Sequence, residues 1–510
     1  VLEGRKVVSA TEMARVEGLN SEGPSSAERY MWLAGAGVVK EVERKKGEEK
    51  KVTLLIGRGN NGGDGLVAGS LLRRQGYHVV GYVICPMEEM SILAQKQRKR
   101  FVEEGGVVRE IQGMDPRQLS LEGVIVDGLF GTGFRGPLQG FILELIRYVN
   151  RSACFVVSID IPSGLNGDTG RVDPIAIRAD KTVCLGLPKF GLFLEEGCQY
   201  VGELCYVDFG LSVCDLDEMR GCAYLVDEVG LARSLPVPSL TQHKYQAGYV
   251  IAVAGSQGMG GAAMLSTLAA FRSGAGIVRL FYPQGMEGEL VAAPYELIKS
   301  SYTYQKVEPI LKESGRAGAC LIGPGVGRSD ETKRFLFRLL SELSLPLVID
   351  ADALYALEGR YSSLKVSAIM TPHHQEMRKL LDKDSSTHLD LIEGCQSFAD
   401  ECEVVIVLKG MPTYLFSPRS LPILIRRGDP GMATAGAGDV LTGVIAALLA
   451  KGLSLKEAAA LGVYLHALSG EFAARKKGSH FVMASELICH LSQAFRVVEK
   501  SQLCNGGTEL

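Results

Sequence analysis

The chain has no Cys-x-x-Cys pair, few histidines and no surplus of positive charge, and each absence removes a class of function. Its twelve cysteines are scattered, and its eight histidines form no cluster with them at zinc-ligand spacing. Neither a structural zinc site nor a disulfide framework is expected; the pattern is that of free thiols in a reducing compartment. A net charge of −3 offers no basic field to a nucleic acid. The longest apolar windows, such as Val440–Ala450, run to about eleven residues, against the roughly 20 a membrane span requires. The opening residues VLEGRKVVSATEMARVEG hold no apolar stretch of the secretory kind. A cytoplasmic protein with no membrane and no nucleic-acid partner is therefore expected.

What the chain does have is glycine. There are 61 in 510 residues, about 12% against a usual value of roughly 7%, and no G-X-Y period accounts for them. With 46% hydrophobic and 22% charged residues, the composition is that of a globular protein able to bury full cores. The length suggests two to four domains at roughly 150 residues each, or two large ones.

Short β-branched runs alternate with helical spacing along most of the chain. Val52–Ile56, Val79–Ile84, Val124–Val126 and Phe155–Ile159 read as strands, and Leu66–Gln75 and Met90–Gly105 as helices between them. A second series comprises Tyr249–Ala254, Cys320–Ile322, Leu347–Ile349, Ser367–Met370 and Val404–Leu408. It closes with the helical stretches Gly438–Ala450, Leu455–Arg475 and Met483–Val497. This predicts α/β architecture: mostly parallel sheets covered by helices on both faces. The periodicity fades around Leu216–Tyr245, so the expected division is a domain over 1–215, a linker over 216–235, a second domain over 236–500 and a polar tail over 501–510.

Ligands of open parallel sheets sit beyond the carboxyl ends of the strands. Three first-half strands end in unusual loops: Gly57-Arg-Gly-Asn-Asn-Gly-Gly-Asp-Gly65, Asp127-Gly-Leu-Phe-Gly-Thr-Gly-Phe-Arg-Gly-Pro137 and Asp160-Ile-Pro-Ser-Gly-Leu-Asn-Gly-Asp168. Bare backbone before a helix lets amides approach an anion. The first loop is not a P-loop, because the Lys-Ser/Thr pair is missing. An aspartate ending a single strand would serve equally well as a turn or cap residue; three such loops point to one cleft.

These loops resemble the signature segments of the NAD(P)H-hydrate epimerase domain. The resemblance implies a Rossmann-like domain that interconverts the R and S hydrates of NADH and NADPH and binds a potassium ion. It assigns Asn60, Asn61, Gly62, Gly63 and Asp64, with Gly131, Thr132, Gly133, Phe134, Arg135, Gly136 and Pro137, to the dinucleotide. It also makes Asn61, Asp127 and Ser163 potassium ligands and Asp160 the substrate-binding, catalytic carboxylate. Amide, carboxylate and hydroxyl oxygens suit a hard cation, and a carboxylate suits proton transfer as the hydrate opens and recloses. The chain departs from the family at Tyr30-Met-Trp-Leu-Ala-Gly35, which lacks the usual Glu.

In the second half, Gly428-Asp-Pro-Gly-Met-Ala-Thr-Ala-Gly-Ala-Gly-Asp-Val-Leu-Thr-Gly443 runs small residues straight into an apolar helix. Its free amides suit a phosphoryl group, and Asp439 in the first turn can take a proton from a bound hydroxyl. A GAGD before a helix marks ribokinase-like phosphotransferases. In order along the chain stand His243–Ser256, Gly260–Ala263, Gly323–Gly327, Asp350–Ala353, Thr371–His373 and Leu408–Thr413. Together they look like the ADP- or ATP-dependent NAD(P)H-hydrate dehydratase domain, so that the whole chain resembles the bifunctional NAD(P)H-hydrate repair family. The resemblance implies that Ala262, Gly325, His373 and Asp439 contact the hydrate. Lys409, Gly410, Met411, Pro412, Thr413 and Gly438 would contact the nucleotide. ADP as co-substrate, magnesium and a homo-oligomeric assembly are implied as well. Here Thr371-Pro-His-His-Gln-Glu376 stands where the family commonly has Thr-Pro-His-Pro-Gly-Glu.

Two readings compete. GAGD permits a small-molecule kinase fused to a nucleotide-binding module, which would yield a stable phosphorylated alcohol and no NADH. The first half could also act as a non-enzymatic nucleotide-sensing scaffold, and Asp160→Ala would then leave R-to-S conversion untouched.

Overall fold

Strand and helix alternate as the hydrophobic pattern predicts, in a computed structural model that describes residues 2–20, 24–45, 50–194, 196–208, 210–359, 367–381 and 387–506. The chain divides into two units, one of Lys6–Ala223 and one of Val1–Arg5 with Tyr224–Leu510.

The first unit holds a seven-stranded sheet. Its spatial order is Val107–Glu110, His78–Val83, Lys51–Ile56, Val124–Gly128, Phe155–Ile159, Lys181–Leu185 and Glu203–Val207. Every neighbouring pair is parallel. Alternation along each strand loads both faces, as a period of two requires. Leu54 and Ile56 pack with Val38, Leu66 and Phe101 on one side. Leu55 packs with Leu145, Ile146 and Val149 on the other. The result is a three-layer sandwich.

The second unit holds an eleven-stranded sheet. Its parallel centre runs Val405–Leu408, Ala368–Met370, Leu347–Ile349, Ala319–Ile322, Tyr249–Val253, Ile277–Pro283 and Ile298–Tyr302. Beyond Val405–Leu408 the hairpin strand Thr413–Phe416 and then Ile423–Ile425 pair antiparallel. Helix Ala437–Ala450 is buried along nearly its whole length, and Val440, Val444 and Leu448 share a core with Val250, Leu321 and Val348.

Three expectations change. Residues 216–235, read as a linker, carry the strand Gly221–Val226 and the helix Glu228–Arg233. Tyr224 and Leu225 pair parallel with Ile423 and Leu424, so this segment extends the second sheet, and the unit boundary falls inside the strand. Strand Glu3–Val8 continues that same sheet, so the first residues do not belong to the first unit. The segment read as a tail is mostly helix: Ala484–Gly506 runs past Lys500, and 507–510 lie outside the described residues.

Candidate functional sites

In the first unit, helix Asn60–Arg74 begins six residues before the expected Leu66, inside the glycine-rich segment. Gly62 and Gly63 are therefore helical rather than looped. Gly62 sits so close to the strand end that a Cβ would lie 2.3 Å from the Gly57 oxygen, and at Gly63 it would strike Met31. They are kept small so that the helix can press its first turn onto the strand. Asn60 is exposed in that turn, where its Oδ1 accepts from Ser91 at 2.8 Å, whereas Asp64 is buried.

A cavity of about 800 Å³ opens there. Its wall includes Asn60, Asn61, Asp64, every residue from Gly131 to Pro137, and Asp160. Of the residues assigned to the dinucleotide, only Gly62 and Gly63 are absent from it. Strands Lys51–Ile56, Val124–Gly128 and Phe155–Ile159 are adjacent in the sheet, which is why the three loops meet.

Asp160 sits immediately past its strand with φ at 65°, a left-handed conformation rare for a residue with a side chain and costly unless its surroundings hold it. Two donors do so. Asp160 Oδ1 accepts from the Leu185 amide at 3.1 Å and from Lys189 Nζ in a short contact. Lys189 is fully buried and also donates to the Leu185 carbonyl at 2.8 Å. A buried ammonium persists only when paired and hydrogen-bonded, and here both conditions hold. Two further carboxyls line the cavity, Asp64 and Glu17. Burial, with the charges of Asp160 and Glu17 added, holds Asp64 well above the usual carboxylate range. Burial likewise lifts Glu17 to about 7, with Asp160 adding to the rise and Lys189 opposing it.

Asp127 and Ser163 lie behind the cavity wall, both buried. Ser163 donates from its hydroxyl to Asp127 Oδ1 at 2.6 Å and from its amide to Oδ2 at 2.9 Å, and Ser158 Oγ donates to Oδ2 at 2.8 Å. Asn61 Nδ2 reaches the Phe130 carbonyl at 2.8 Å, and the Phe130 amide donates to Ser163 Oγ at 2.9 Å. Of the three residues assigned to potassium, Asn61 and Ser163 thus meet at Phe130, and Asp127 joins them only through Ser163.

In the second unit, motif residues issue from the carboxyl ends of five adjacent parallel strands. Gly436 caps helix Ala437–Ala450 at φ 87°, a conformation that glycine adopts without strain. Asp439, in the first turn, is pushed up to about 7 by burial and then by Asp350, with Lys409 pulling the other way. Lys409 Nζ donates to Asp350 Oδ1 at 2.8 Å, and Thr442 Oγ1 donates to Asp350 Oδ2 at 2.7 Å. Burial alone would lower Lys409, yet Asp350, Glu376 and Asp439 together hold it above its ordinary value. Its ammonium lies 3.4 Å from where a Cβ on Gly438 would stand, so lysine and helix start share one spot.

Gly325 and Ala262 also meet: a Cβ on Gly325 would lie 2.9 Å from that of Ala262. His373 is exposed and stands at the start of helix His374–Leu381. Its amide donates to Glu376 Oε2 at 2.8 Å, and its Nδ1 accepts the amides of Gln375 and Glu376. Gly410, Met411 and Pro412 form the turn of the hairpin that begins again at Thr413, and Met411 is exposed.

Sequence reasoning assigned no role to Lys189, Glu17 or Asp350. Lys189 follows the strand Lys181–Leu185 in Gly186-Leu-Pro-Lys189; a lone lysine after a strand end was the available signal. Asp350 stood inside a quoted motif.

Two parallel-sheet units that gather glycine-rich turns and carboxylates at strand carboxyl ends define a nucleotide-handling α/β enzyme, Rossmann-like in its first domain and ribokinase-like in its second. A family model described as NAD(P)H-hydrate dehydratase matches residues 250–493, and one described as YjeF-related protein N-terminus matches 27–191. A bifunctional NAD(P)H-hydrate repair enzyme of Moorella thermoacetica is 34% identical, over 97% of this chain and 97% of that one. Another, of Thermofilum pendens, is 33% identical over 96% of this chain and 97% of that one. Among solved structures, an ADP/ATP-dependent NAD(P)H-hydrate dehydratase from Bacillus subtilis is 26% identical with a TM-score of 0.48, covering 54% of this chain and 98% of that one. The chain belongs to the family of bifunctional NAD(P)H-hydrate repair enzymes.

Proposed function

We propose that the first unit epimerises R and S NADHX and NADPHX, and that the second dehydrates the S form to NADH or NADPH with ADP as phosphoryl donor. The observation that carries this reading is the pair of strand-end sites, each with its own acid–base carboxylate. Asp160 stands beside Lys189 in one, and Asp439 beside Gly438 and Lys409 in the other. Hydroxide is a poor leaving group, so direct dehydration is slow. Asp439 takes the proton of the C6 hydroxyl, and that oxygen attacks the terminal phosphorus of ADP, releasing AMP. The ring nitrogen's electron pair then expels phosphate, and loss of a C5 proton restores the dihydropyridine. The amides at Ala435–Gly438 and the Lys409 ammonium hold the transferred phosphoryl, where stabilisation is mainly electrostatic and positional. Ala262, Gly325 and His373 are assigned to the hydrate, and the turn from Gly410 to Thr413 to the nucleotide. Magnesium would accompany the nucleotide's phosphates, its usual manner of binding; Asp350 is already paired with Lys409 and Thr442.

Potassium fits the first unit. Asp127 is fully buried with only neutral donors hydrogen-bonded to it, and burial raises it above the ordinary carboxylate range against the pull of Ser163 and Ser158. A monovalent cation would be held by Asn61, Asp127 and Ser163 oxygens and would supply the missing positive charge. Replacing sodium by potassium should raise the first unit's thermal midpoint by roughly 5–10 °C at a concentration about 100-fold above its Kd. Differential scanning calorimetry reads this without any turnover, and Asp127→Asn should abolish the difference. A homo-oligomer in the cytoplasm completes the reading.

The deciding experiment starts from pure R and pure S NADHX, with ADP and ATP supplied separately, and follows NADH absorbance. Regain of NADH from the S form only with nucleotide, and from the R form through the S form, is the expected result. No regain, with a phosphorylated alcohol formed from another substrate, would mean that the second unit is a kinase.

A further inference from the structure

This inference rests on the epimerase reading and asks what completes its proton chemistry. Epimerisation by opening and reclosing moves one oxygen from one face of C6 to the other. A single carboxylate cannot stand on both faces, so a second acid–base group is needed. Asp160 is the first. The same cavity wall carries Glu17, from helix Ala10–Asn20, and Asp64, from helix Asn60–Arg74. Glu17 and Asp64 also line an adjoining cavity of about 270 Å³ whose other walls include Ala14, Ala34, Met31 and Leu93. Asp64 is more than nine-tenths buried and accepts no hydrogen bond from any described residue. Its neighbours pair their own polar groups: Asn60 with Ser91, and Asp160 with Lys189 and Leu185. With its carboxyl on the cavity wall and no described donor committed to it, Asp64 is placed to exchange protons with what the cavity holds.

We propose that Glu17 is the second acid–base group of the epimerase, working opposite Asp160, with Asp64 relaying protons between them. The cycle begins with Asp160 ionised and Glu17 protonated. Asp160 takes the C6 hydroxyl proton; a C6=O bond forms, the C6–N1 bond breaks, and its electron pair goes to N1. N1 then receives that proton from Asp160. After rotation about C5–C6, N1 attacks the opposite face of the aldehyde. The C=O π pair returns to oxygen, which takes the Glu17 proton, while the N1 proton goes back to Asp160. The pair has exchanged one proton, and Asp64 returns it. No oxidant or further reactant is required.

Charge supports the assignment. Two carboxyls that share a site with a third must differ in protonation, and Glu17, lifted to about 7, is poised to hold the proton near neutrality. The groups that bear on it are Lys189 and Asp160, and the cavity wall further carries Arg58, Glu89, Arg135 and Asp64.

The test uses the full chain and R NADHX. Glu17→Gln should lower kcat for R-to-S conversion by roughly 10²–10⁴-fold with KM little changed, while the same sample still dehydrates the S form. Wild type should show a bell-shaped pH profile, because the pair must hold one proton; the variant should lose the fall above neutrality. Glu17→Asp, which keeps the carboxyl, should recover part of the rate. A Glu17→Gln protein that epimerises within about threefold of wild type with an unaltered profile overturns the proposal. So does a loss that Glu17→Asp fails to recover while the thermal midpoint falls, which would mark a packing role. Absence of R-to-S conversion in the wild type would instead count against the epimerase reading itself.

Discussion

Asp439→Asn is expected to lower dehydration of S NADHX by roughly 10²–10⁴-fold, the usual contribution of a positioned general base, while R and S hydrates continue to interconvert. Asparagine keeps the size and the first-turn position, so helix Ala437–Ala450 and its buried contacts persist. What disappears is the group that removes the hydroxyl proton before oxygen attacks phosphorus. The pH dependence tests the same role. Asp439 is held near 7, first by burial and then by the like charge of Asp350. The base form gains population as pH rises through that value, so wild-type kcat/KM should climb between pH 6 and 8, a span of about one unit either side of it. Lys409 opposes the rise; Lys409→Met should therefore push the limb to higher pH besides weakening nucleotide binding. Stopped-flow recovery of NADH absorbance at several pH values measures both. An Asp439→Asn enzyme with wild-type turnover would remove the base from the mechanism and leave the helix start as a binding element only.

The strands that carry the motif loops were legible because they are short apolar runs ending at those loops, whereas strands such as Lys181–Leu185, Ile277–Pro283 and Thr413–Phe416 were not read. Three kinds of residue were harder to read. Gly62 and Gly63 looked like loop because glycine is rare inside helices; the reason for them is contact with Gly57 and Met31, which only the packed helix shows. Strand Gly221–Val226 is half-buried and pairs with Ile423–Ile425 some two hundred residues away. No local pattern reports such a partner, so the segment read as a linker. Lys189 was invisible for a different reason. A lysine in sequence is expected at the surface, and only the fold brings it, fully buried, onto Asp160. The motif loops of both units were legible in composition, and so were Asp350 and Lys409 beside Asp439, whereas the cation paired with Asp160 lies outside every motif.

Lys189→Met should be the most damaging single change in the first unit. Its ammonium contacts Asp160 and the Leu185 carbonyl with no exposure to water. Removing one member of a buried pair typically costs about 3–5 kcal/mol, because the other is left uncompensated, and methionine fills the volume without replacing the donor. Three carboxyls, Asp160, Asp64 and Glu17, would then share a cavity wall without this cation. Lys189 is the group that holds Glu17 down against burial and Asp160; without it Glu17 keeps its proton above 7. The sign of the stability effect follows. A carboxyl raised in the folded state favours folding below its ordinary value of about 4.5 and loses that advantage as pH rises through its folded value. The deficit in thermal midpoint relative to wild type should thus be smaller at pH 5 than at pH 8, a comparison made on either side of the Glu17 value of about 7. Epimerisation near neutrality should fall by roughly 10²-fold or more, because Asp160 loses one of the two donors that hold it in its left-handed conformation and the proton balance with Glu17 is upset. Calorimetry across pH, with R-to-S conversion followed by chromatography of the two hydrates, measures both effects. Equal deficits at both pH values would mean that the buried ammonium does not govern the charge of the cluster, and Asp160 would have to be oriented by the Leu185 amide alone.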